Sequence, residues 1–198
     1  MVQTRCRTRL LNCAIQPWFD VWHGWGVSRD GNEAVRWYKL SAKQGYADAQ
    51  FNLGVIYHEG KAVPQDYIEA AKWYRLAAEQ GSVLAQYNLG IMHRKGQGVP
   101  KDHREAAKWY KLAAEQGDAD AQYNLGVMYK NGEGVPKDYK EAVRLYTLAA
   151  NQGKAKAQYN LGVMYRNGDG VSQDYKEAAK WYRLAAEQGF LRAQYNLG

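Results

Sequence analysis

Residues 85–117 read AQYNLGIMHRKGQGVPKDHREAAKWYKLAAEQG, and this stretch decides the fold. Its first half places Ala85, Leu89 and Met92 at i, i+4 and i+7, the spacing of one face of an α-helix. Gly96-Gln97-Gly98 then supplies glycines able to adopt the left-handed conformation that closes a helix. Val99-Pro100-Lys101 leads to Asp102, three residues ahead of Glu105. That is a capping-box arrangement, in which the Asp accepts from exposed N–H groups and the Glu reaches back. A second helix follows, with Ala106, Trp109, Tyr110 and Ala113 on its buried face. The spacing predicts one helix from about Ala85 to Lys95 and another running to about Gln116, closed by Gly117.

Moving outward, the same pattern recurs every 36 residues. Ala49-Gln50-Phe51-Asn52-Leu53-Gly54 reappears as Ala85 to Gly90, Ala121 to Gly126, Ala157 to Gly162 and Ala193 to Gly198. Glu69 to Tyr74 matches Glu33 to Tyr38, Glu105 to Tyr110 and Glu177 to Tyr182. The copy at 141–146 departs, with Leu145 where the others carry tryptophan. Asp-x-x-Glu recurs at Asp30/Glu33, Asp66/Glu69, Asp138/Glu141 and Asp174/Glu177. One such helix pair cannot bury its apolar face alone, whereas stacked pairs bury a continuous core. Gly90, Ala113 and their equivalents let backbones approach closely, and Trp109 and its equivalents fill the space between units. The expected fold is therefore all-α, an array over 24–198 with partial units at 24–45 and 190–198 and full ones at 46–81, 82–117, 118–153 and 154–189.

The bulk numbers agree with a motif counted several times: 20 glycines, 16 tyrosines and seven tryptophans in 198 residues. No run of about 18 apolar residues is present to span a membrane. The formal charge is +7, and Arg5, Arg7, Arg9 and Arg29, set against Asp20 alone, concentrate much of it at the start. The rest is a mixed surface more than a nucleic-acid footprint, so nucleic acid is a weak candidate partner. Cys6 and Cys13 both fall in that first segment, and neither a disulfide framework nor a zinc spacing exists. The four histidines lack ligand spacing, and His93 stands where other copies have Tyr57, Tyr129 and Tyr165. Gly96 to Lys101 lacks the pattern of a phosphate loop. No catalytic residue, metal, cofactor or small-molecule substrate is expected.

Ala-x-x-x-Leu-Gly-x-x-Tyr, Gly-x-Gly-Val-x-x-Asp and Ala-x-x-Trp-x-x-x-Ala-Ala-x-x-Gly together resemble the Sel1-like repeat, a relative of the tetratricopeptide repeat. The resemblance covers Gly24 to Gly198. It implies a right-handed α-α superhelix, a solenoid whose first helices line a concave groove, and a role as a protein–protein interaction scaffold or adaptor, often in bacterial signalling or host interaction. Cysteine-rich relatives are described as penicillin-binding or β-lactamase-like. They carry paired cysteines in each repeat, which this chain lacks, along with any Ser-x-x-Lys motif.

With Leu53 at the centre of a buried face, Phe51 and His58 point the other way and Asn52 lies on the flank. By the same resemblance this is the concave side. Three ladders follow: Phe51/Tyr87/Tyr123/Tyr159, Asn52/Asn88/Asn124/Asn160 and His58/Arg94/Lys130/Arg166. Rings give contact area at low entropy cost, and amides pair with a peptide backbone. A cationic ladder favours a carboxylate-bearing segment. The competing reading is that Tyr and Asn recur because they bridge neighbouring units, and that the cations are a solvated edge.

Residues 1–23 break the pattern, and Pro17 would sit within the first helix, at a cost of about 3 kcal/mol. Read one base later, the codons restore it. Met1-Val2 forces Trp at the position matching Trp37, Gln3-Thr4 forces Lys or Arg at that of Lys39, Cys13-Ala14 forces Ala or Val at that of Ala49, and Trp18-Phe19 forces Gly at that of Gly54. This predicts a repeat read out of frame, through a frameshift or a sequence error, with a divergent N-terminal cap as the alternative. Gly198 falls within a first helix, so the chain reads as a fragment of a longer array. The apolar run after the N-terminal arginines is only Leu10-Leu11, too short for a signal peptide. The expected location is cytoplasmic, with export dependent on a start further upstream.

Overall fold

The structure is a computed structural model that describes residues 31–197. Residues 1–23, with the proposed out-of-frame segment, and Asp30 lie outside the described residues. All regular structure among those described is helical: α1 Gly31–Lys43, α2 Ala47–Glu59, α3 Tyr67–Glu79, α4 Val83–Lys95, α5 His103–Glu115, α6 Ala119–Asn131, α7 Tyr139–Asn151, α8 Ala155–Asn167, α9 Tyr175–Glu187 and the short α10 Leu191–Tyr195. Even-numbered helices are the first of each repeat and odd-numbered ones the second, as the 36-residue period predicts. The chain forms two compact units, one holding residues 31–92 and 96–100, the other residues 93–95 and the chain from Lys101 onward.

Each first helix stops where the sequence places its glycine. In the second unit Gly132 adopts φ 74° and its N–H returns to the Met128 carbonyl at 2.8 Å. The next glycine of the linker, Gly134, has φ 72°, and a Cβ there would come within 2.3 Å of the His103 carbonyl. Only glycine satisfies both demands, the left-handed backbone and the close approach.

The linker then enters the second helix through an aspartate. Asp66 accepts from Ile68 N and Glu69 N, Asp102 from Arg104 N and Glu105 N, and Asp174 from Lys176 N and Glu177 N, while Asp138 accepts from Glu141 N. Each cap satisfies N–H groups that the helix itself leaves unpaired. At these four caps the reciprocal half of the predicted capping box is not formed. The N–H of Asp102 donates instead to the His93 carbonyl at 2.9 Å, and that of Asp138 to the Tyr129 carbonyl at 2.9 Å. The glutamates turn outward and pair with a cation three residues on, Glu69 with Lys72, Glu105 with Lys108, Glu141 with Arg144 and Glu177 with Lys180. The linker's return to the end of the first helix takes the hydrogen bond that the box would have used.

The i, i+4, i+7 face is buried as predicted. Ala85, Leu89 and Met92 are buried, as are Ala121, Leu125 and Met128. In the first unit Ala34, Val35, Tyr38, Ala42, Ala49, Leu53 and Ile56 form one cluster, with Trp73 of α3 packed against it. In the second unit Ala142, Tyr146, Ala149, Ala150, Ala157, Leu161 and Met164 form another, with Trp181 of α9 against it. Each large side chain so buried contributes about 1.5–3 kcal/mol. The tryptophans thus join neighbouring helix pairs, as expected, but from the edge: Trp109 is half-buried and Trp37 is exposed. The fully buried aromatic residue of the second helix is the tyrosine at the next position, Tyr110 after Trp109 and Tyr146 after Leu145.

Small residues set the spacing. A Cβ on Gly126 would lie 2.8 and 2.9 Å from ring carbons of Tyr146, and one on Gly162 would lie 2.7 Å from Tyr182. The alanines of the second helix, Ala142, Ala149 and Ala150, are buried on the facing side.

Candidate functional site

The first-helix face holding the three predicted ladders is built repeat by repeat, and the structure assigns its members different duties. The rings are held by the tyrosine of the following helix. Phe51 packs on Tyr74 at a centroid distance of 5.8 Å, Tyr123 on Tyr146 at 5.9 Å and Tyr159 on Tyr182 at 5.7 Å, with interplanar angles of 40°, 37° and 41°. This repeated tilted contact fixes each ring while leaving it half-exposed. Such pairs are worth about 0.5–1.5 kcal/mol beyond their area. Tyr159 also meets Phe190 at 5.1 Å. Tyr87 is likewise half-buried.

The asparagines are more deeply committed. Asn124 is buried, donates from Nδ2 to the Asp120 carbonyl at 2.8 Å and accepts from Arg94 Nη1 at 3.2 Å. Asn160 lies beside the Tyr146 hydroxyl of the preceding helix pair, and Asn196 stands in the same relation to Tyr182. Burial pushes the pKa of both phenols up, and the amides act against that rise. The Tyr146 and Tyr182 hydroxyls nonetheless meet no hydrogen-bond partner among the described residues, so the bridging role that competes with a ligand role rests on Asn124 and its bond to Arg94 of the preceding first helix. Asn52 and Asn88 are half-buried.

The third ladder occupies the last turn of each first helix: His58, Arg94, Lys130 and Arg166. Cations there are favoured by the unsatisfied carbonyls of the helix end. His58 is drawn into ring contacts, at 5.2 Å from Tyr67 and 6.4 Å from Tyr74. Arg94 is spent on Asn124. Among the described residues, Lys130 and Arg166 pair with no carboxylate, in contrast to Lys72, Lys108, Arg144 and Lys180 on the second helices. Tyr123 and Lys130, like Tyr159 and Arg166, are seven residues apart and so share a helix face. The second unit therefore brings together two rings and two cations that meet no acid.

A further polar ladder went unassigned in the sequence. Gln50, Gln86, Gln122 and Gln158 are all buried, and each donates from Nε2 to a carbonyl at the end of the preceding helix, Ala42, Ala78, Ala114 and Ala150, at 3.1 or 3.2 Å. Gln80, Gln152 and Gln188 donate in turn to the side-chain oxygens of Gln50, Gln122 and Gln158 at 2.7, 2.9 and 2.8 Å. The only signal available in the sequence was the recurrence of glutamine beside a buried alanine. Lys154 pairs with Asp120, so consecutive first helices of this unit are also tied by charge.

No group of three or more His, Cys, Asp or Glu suited to a metal is present among the described residues. No helix of the described residues is long and apolar enough to cross a membrane.

The Sel1 repeat matches residues 21–46, 47–82, 83–118, 119–154 and 155–190. The chain is similar to a protective antigen present in uropathogenic Escherichia coli strains displaying an SLR fold, at 38% identity and a TM-score of 0.91 over 97% of this chain and 41% of that one. It is similar to a Sel1 repeat protein from Oxalobacter formigenes at 36% identity and a TM-score of 0.83, over 94% and 74% of the two chains. The fold is shared with Helicobacter pylori cysteine rich protein B, at 24% identity and a TM-score of 0.54, over 70% of this chain and 99% of that one. This chain spans about two fifths of the length of the antigen it matches. No curated protein sequence matches it.

Proposed function

Because this chain belongs to the Sel1 repeat family, whose members are in general protein-interaction scaffolds, we propose that it is such a scaffold and that its partner is an extended, carboxylate-bearing peptide segment held on the first-helix face. The observation that carries this reading is the pairing, in α6 and α8, of a ring fixed on a buried tyrosine with a cation that pairs with no carboxylate among the described residues. A pinned, half-exposed tyrosine offers area without losing rotamer freedom on binding. A cation seven residues further along the same face attracts a carboxylate and orients the segment. The asparagines contribute less than the ladder suggests, because Asn124 is buried and bonded internally.

An enzymatic role has no support in this arrangement. The family is mostly non-enzymatic, and no cysteine follows Cys13, so the paired cysteines that mark the cysteine-rich relatives are absent from the repeats over 24–198.

The test is a selection from a displayed random-peptide library on the wild-type chain, counter-screened on the double variant Lys130→Glu, Arg166→Glu. Selected peptides enriched in Asp and Glu that lose binding to the variant are expected. Peptides without acidic enrichment that bind both chains equally would refute the assignment of this face.

A further inference from the structure

We propose that the first unit carries a separate docking point on α1, for an extended acidic segment of a partner protein in which carboxylates flank a large apolar side chain. It rests on the scaffold reading only in that the partner is a protein, and its residues are not those of the first-helix face. Val35, Trp37, Leu40 and Val63 line a hollow of about 590 Å³ together with Arg36, Lys39 and Lys43. Trp37 and Leu40 are large and apolar, yet both are exposed there. Adjoining exposed apolar side chains at a concave surface are a mark of interaction sites.

A hollow at this place recurs with the repeat, so the hollow alone identifies no occupant. In the second unit Ala107, Lys108, Lys111 and Val135 line one of about 280 Å³, at positions that match Val35, Arg36, Lys39 and Val63. What differs is the charge. In the second unit Lys108 pairs with Glu105, and Lys111 lies 3.9 Å from Glu115. The residue of α1 that matches Glu115 is Lys43, where α3 and α9 also carry glutamate, Glu79 and Glu187. At these four matching positions Glu33, Arg36, Lys39 and Lys43 bring three cations and one acid, whereas Glu105, Lys108, Lys111 and Glu115 bring two of each. Lys39 and Lys43 stand at i and i+4, a like-charge spacing that disfavours the helix. Among the described residues neither pairs with a carboxylate, and Lys39 instead stands over the Tyr57 ring, 5.5 Å from its centre.

The spread of this charge selects the occupant. Arg36, Lys39 and Lys43 fall at i, i+3 and i+7 and so share a helix face. The first and last are about 10 Å apart along the axis, a distance that about three residues of extended chain span. A segment with acids on both sides of a large apolar residue meets the row of cations with its carboxylates and the hollow with its apolar side chain. A single-headed anion on an acyl chain meets one end of that row only.

The full chain is titrated at low salt with acetyl-Asp-Glu-Leu-Asp-Glu-amide, and the Trp37 indole and the Val35, Leu40 and Val63 methyl resonances are followed by NMR. Saturable shifts at these groups are expected, with a Kd of the order of 1 mM or tighter that weakens as salt is raised. Binding should fall by about fivefold or more in Lys43→Glu, which gives α1 the residue that α3, α5 and α9 carry there and so suits the fold. The peptide with lysine in place of each acid should not bind. Shifts confined to Tyr123 and Tyr159 would overturn this proposal and leave the first-helix reading standing. Absence of saturable shifts, unchanged binding in Lys43→Glu, equal binding by the peptide with alanine in place of leucine or by the lysine peptide, or shifts at Trp37 with dodecanoate and none with the acidic peptide would each overturn it as well.

Discussion

Replacing Gly126 with alanine sets two effects of opposite sign against each other. Gly126 lies within α6, where an unhindered Gly→Ala change stabilises by about 1 kcal/mol through helix propensity. The added Cβ would meet Tyr146 Cε1 at 2.8 Å and Cδ1 at 2.9 Å, and Leu145 Cβ at 3.4 Å. Tyr146 has no exposed surface, so its ring cannot swing into solvent, and the helices must separate. Overpacking of this kind costs about 1–3 kcal/mol. The net expectation is a loss of about 1 kcal/mol, the reverse of the propensity effect. Urea unfolding followed by both far-UV circular dichroism and tryptophan fluorescence measures it. Two probes are needed because repeat arrays depart from two-state behaviour when their units uncouple. The comparison is with the same change in a Tyr146→Leu background, where the clash is relieved and the alanine should be neutral or stabilising. A coupling of about 0.5–3 kcal/mol is expected between contacting residues of this kind. A stabilising effect in the wild-type background, or an effect of the same size in both, would refute the close-packing argument.

Gln122→Ala removes the donor to the Ala114 carbonyl and the acceptor for Gln152. Gln152 is exposed and keeps its bond to the Gly117 carbonyl, so the cost is that of leaving the buried Ala114 carbonyl without this donor, about 1–3 kcal/mol, read from the shift in the urea midpoint. Asp102, whose carboxylate accepts from Glu105 N and Arg104 N, is held below the usual carboxylate range by those bonds. A pKa lowered by folding gives stability that is present above the unfolded value and is lost as pH falls through the folded one. Asp102→Asn, which keeps a capping side chain, should therefore flatten the acid limb of the stability profile, and an unchanged limb would count against the cap. Nitrocefin should not be hydrolysed by the purified chain, and measurable turnover would reopen the enzymatic reading.

The parts of the fold set by local chemistry were legible in the sequence. Ala85, Leu89 and Met92 announced a buried face, Gly96 a left-handed stop and Asp102 a cap, and the structure places all three so. What was not legible depends on partners distant along the chain. Glu105 has the spacing to reach back to Asp102, yet the Asp102 N–H is taken by the His93 carbonyl across the linker. Gln122 has the polarity of a surface residue, yet its partners lie eight residues before and 30 after it. Trp109 has the size of a core residue, yet the smaller ring of Tyr110 is the one fully enclosed. The ladders on the first helices were found by periodicity alone, which cannot separate a recurring ligand contact from a recurring bridge. Asn124 and its bonds to Asp120 and Arg94 exemplify the bridge, and Lys130 and Arg166 are the positions that the proposed function gives to a partner.

Photocrosslinking asks directly whether the first-helix face receives the partner. A benzoylphenylalanine replaces Tyr123 in one chain and Leu184, exposed on α9, in another, and each is irradiated with an acidic peptide from the selection. A covalent adduct from position 123 that unlabelled peptide competes away is expected, and none from position 184. An adduct from 184 with none from 123 would contradict it.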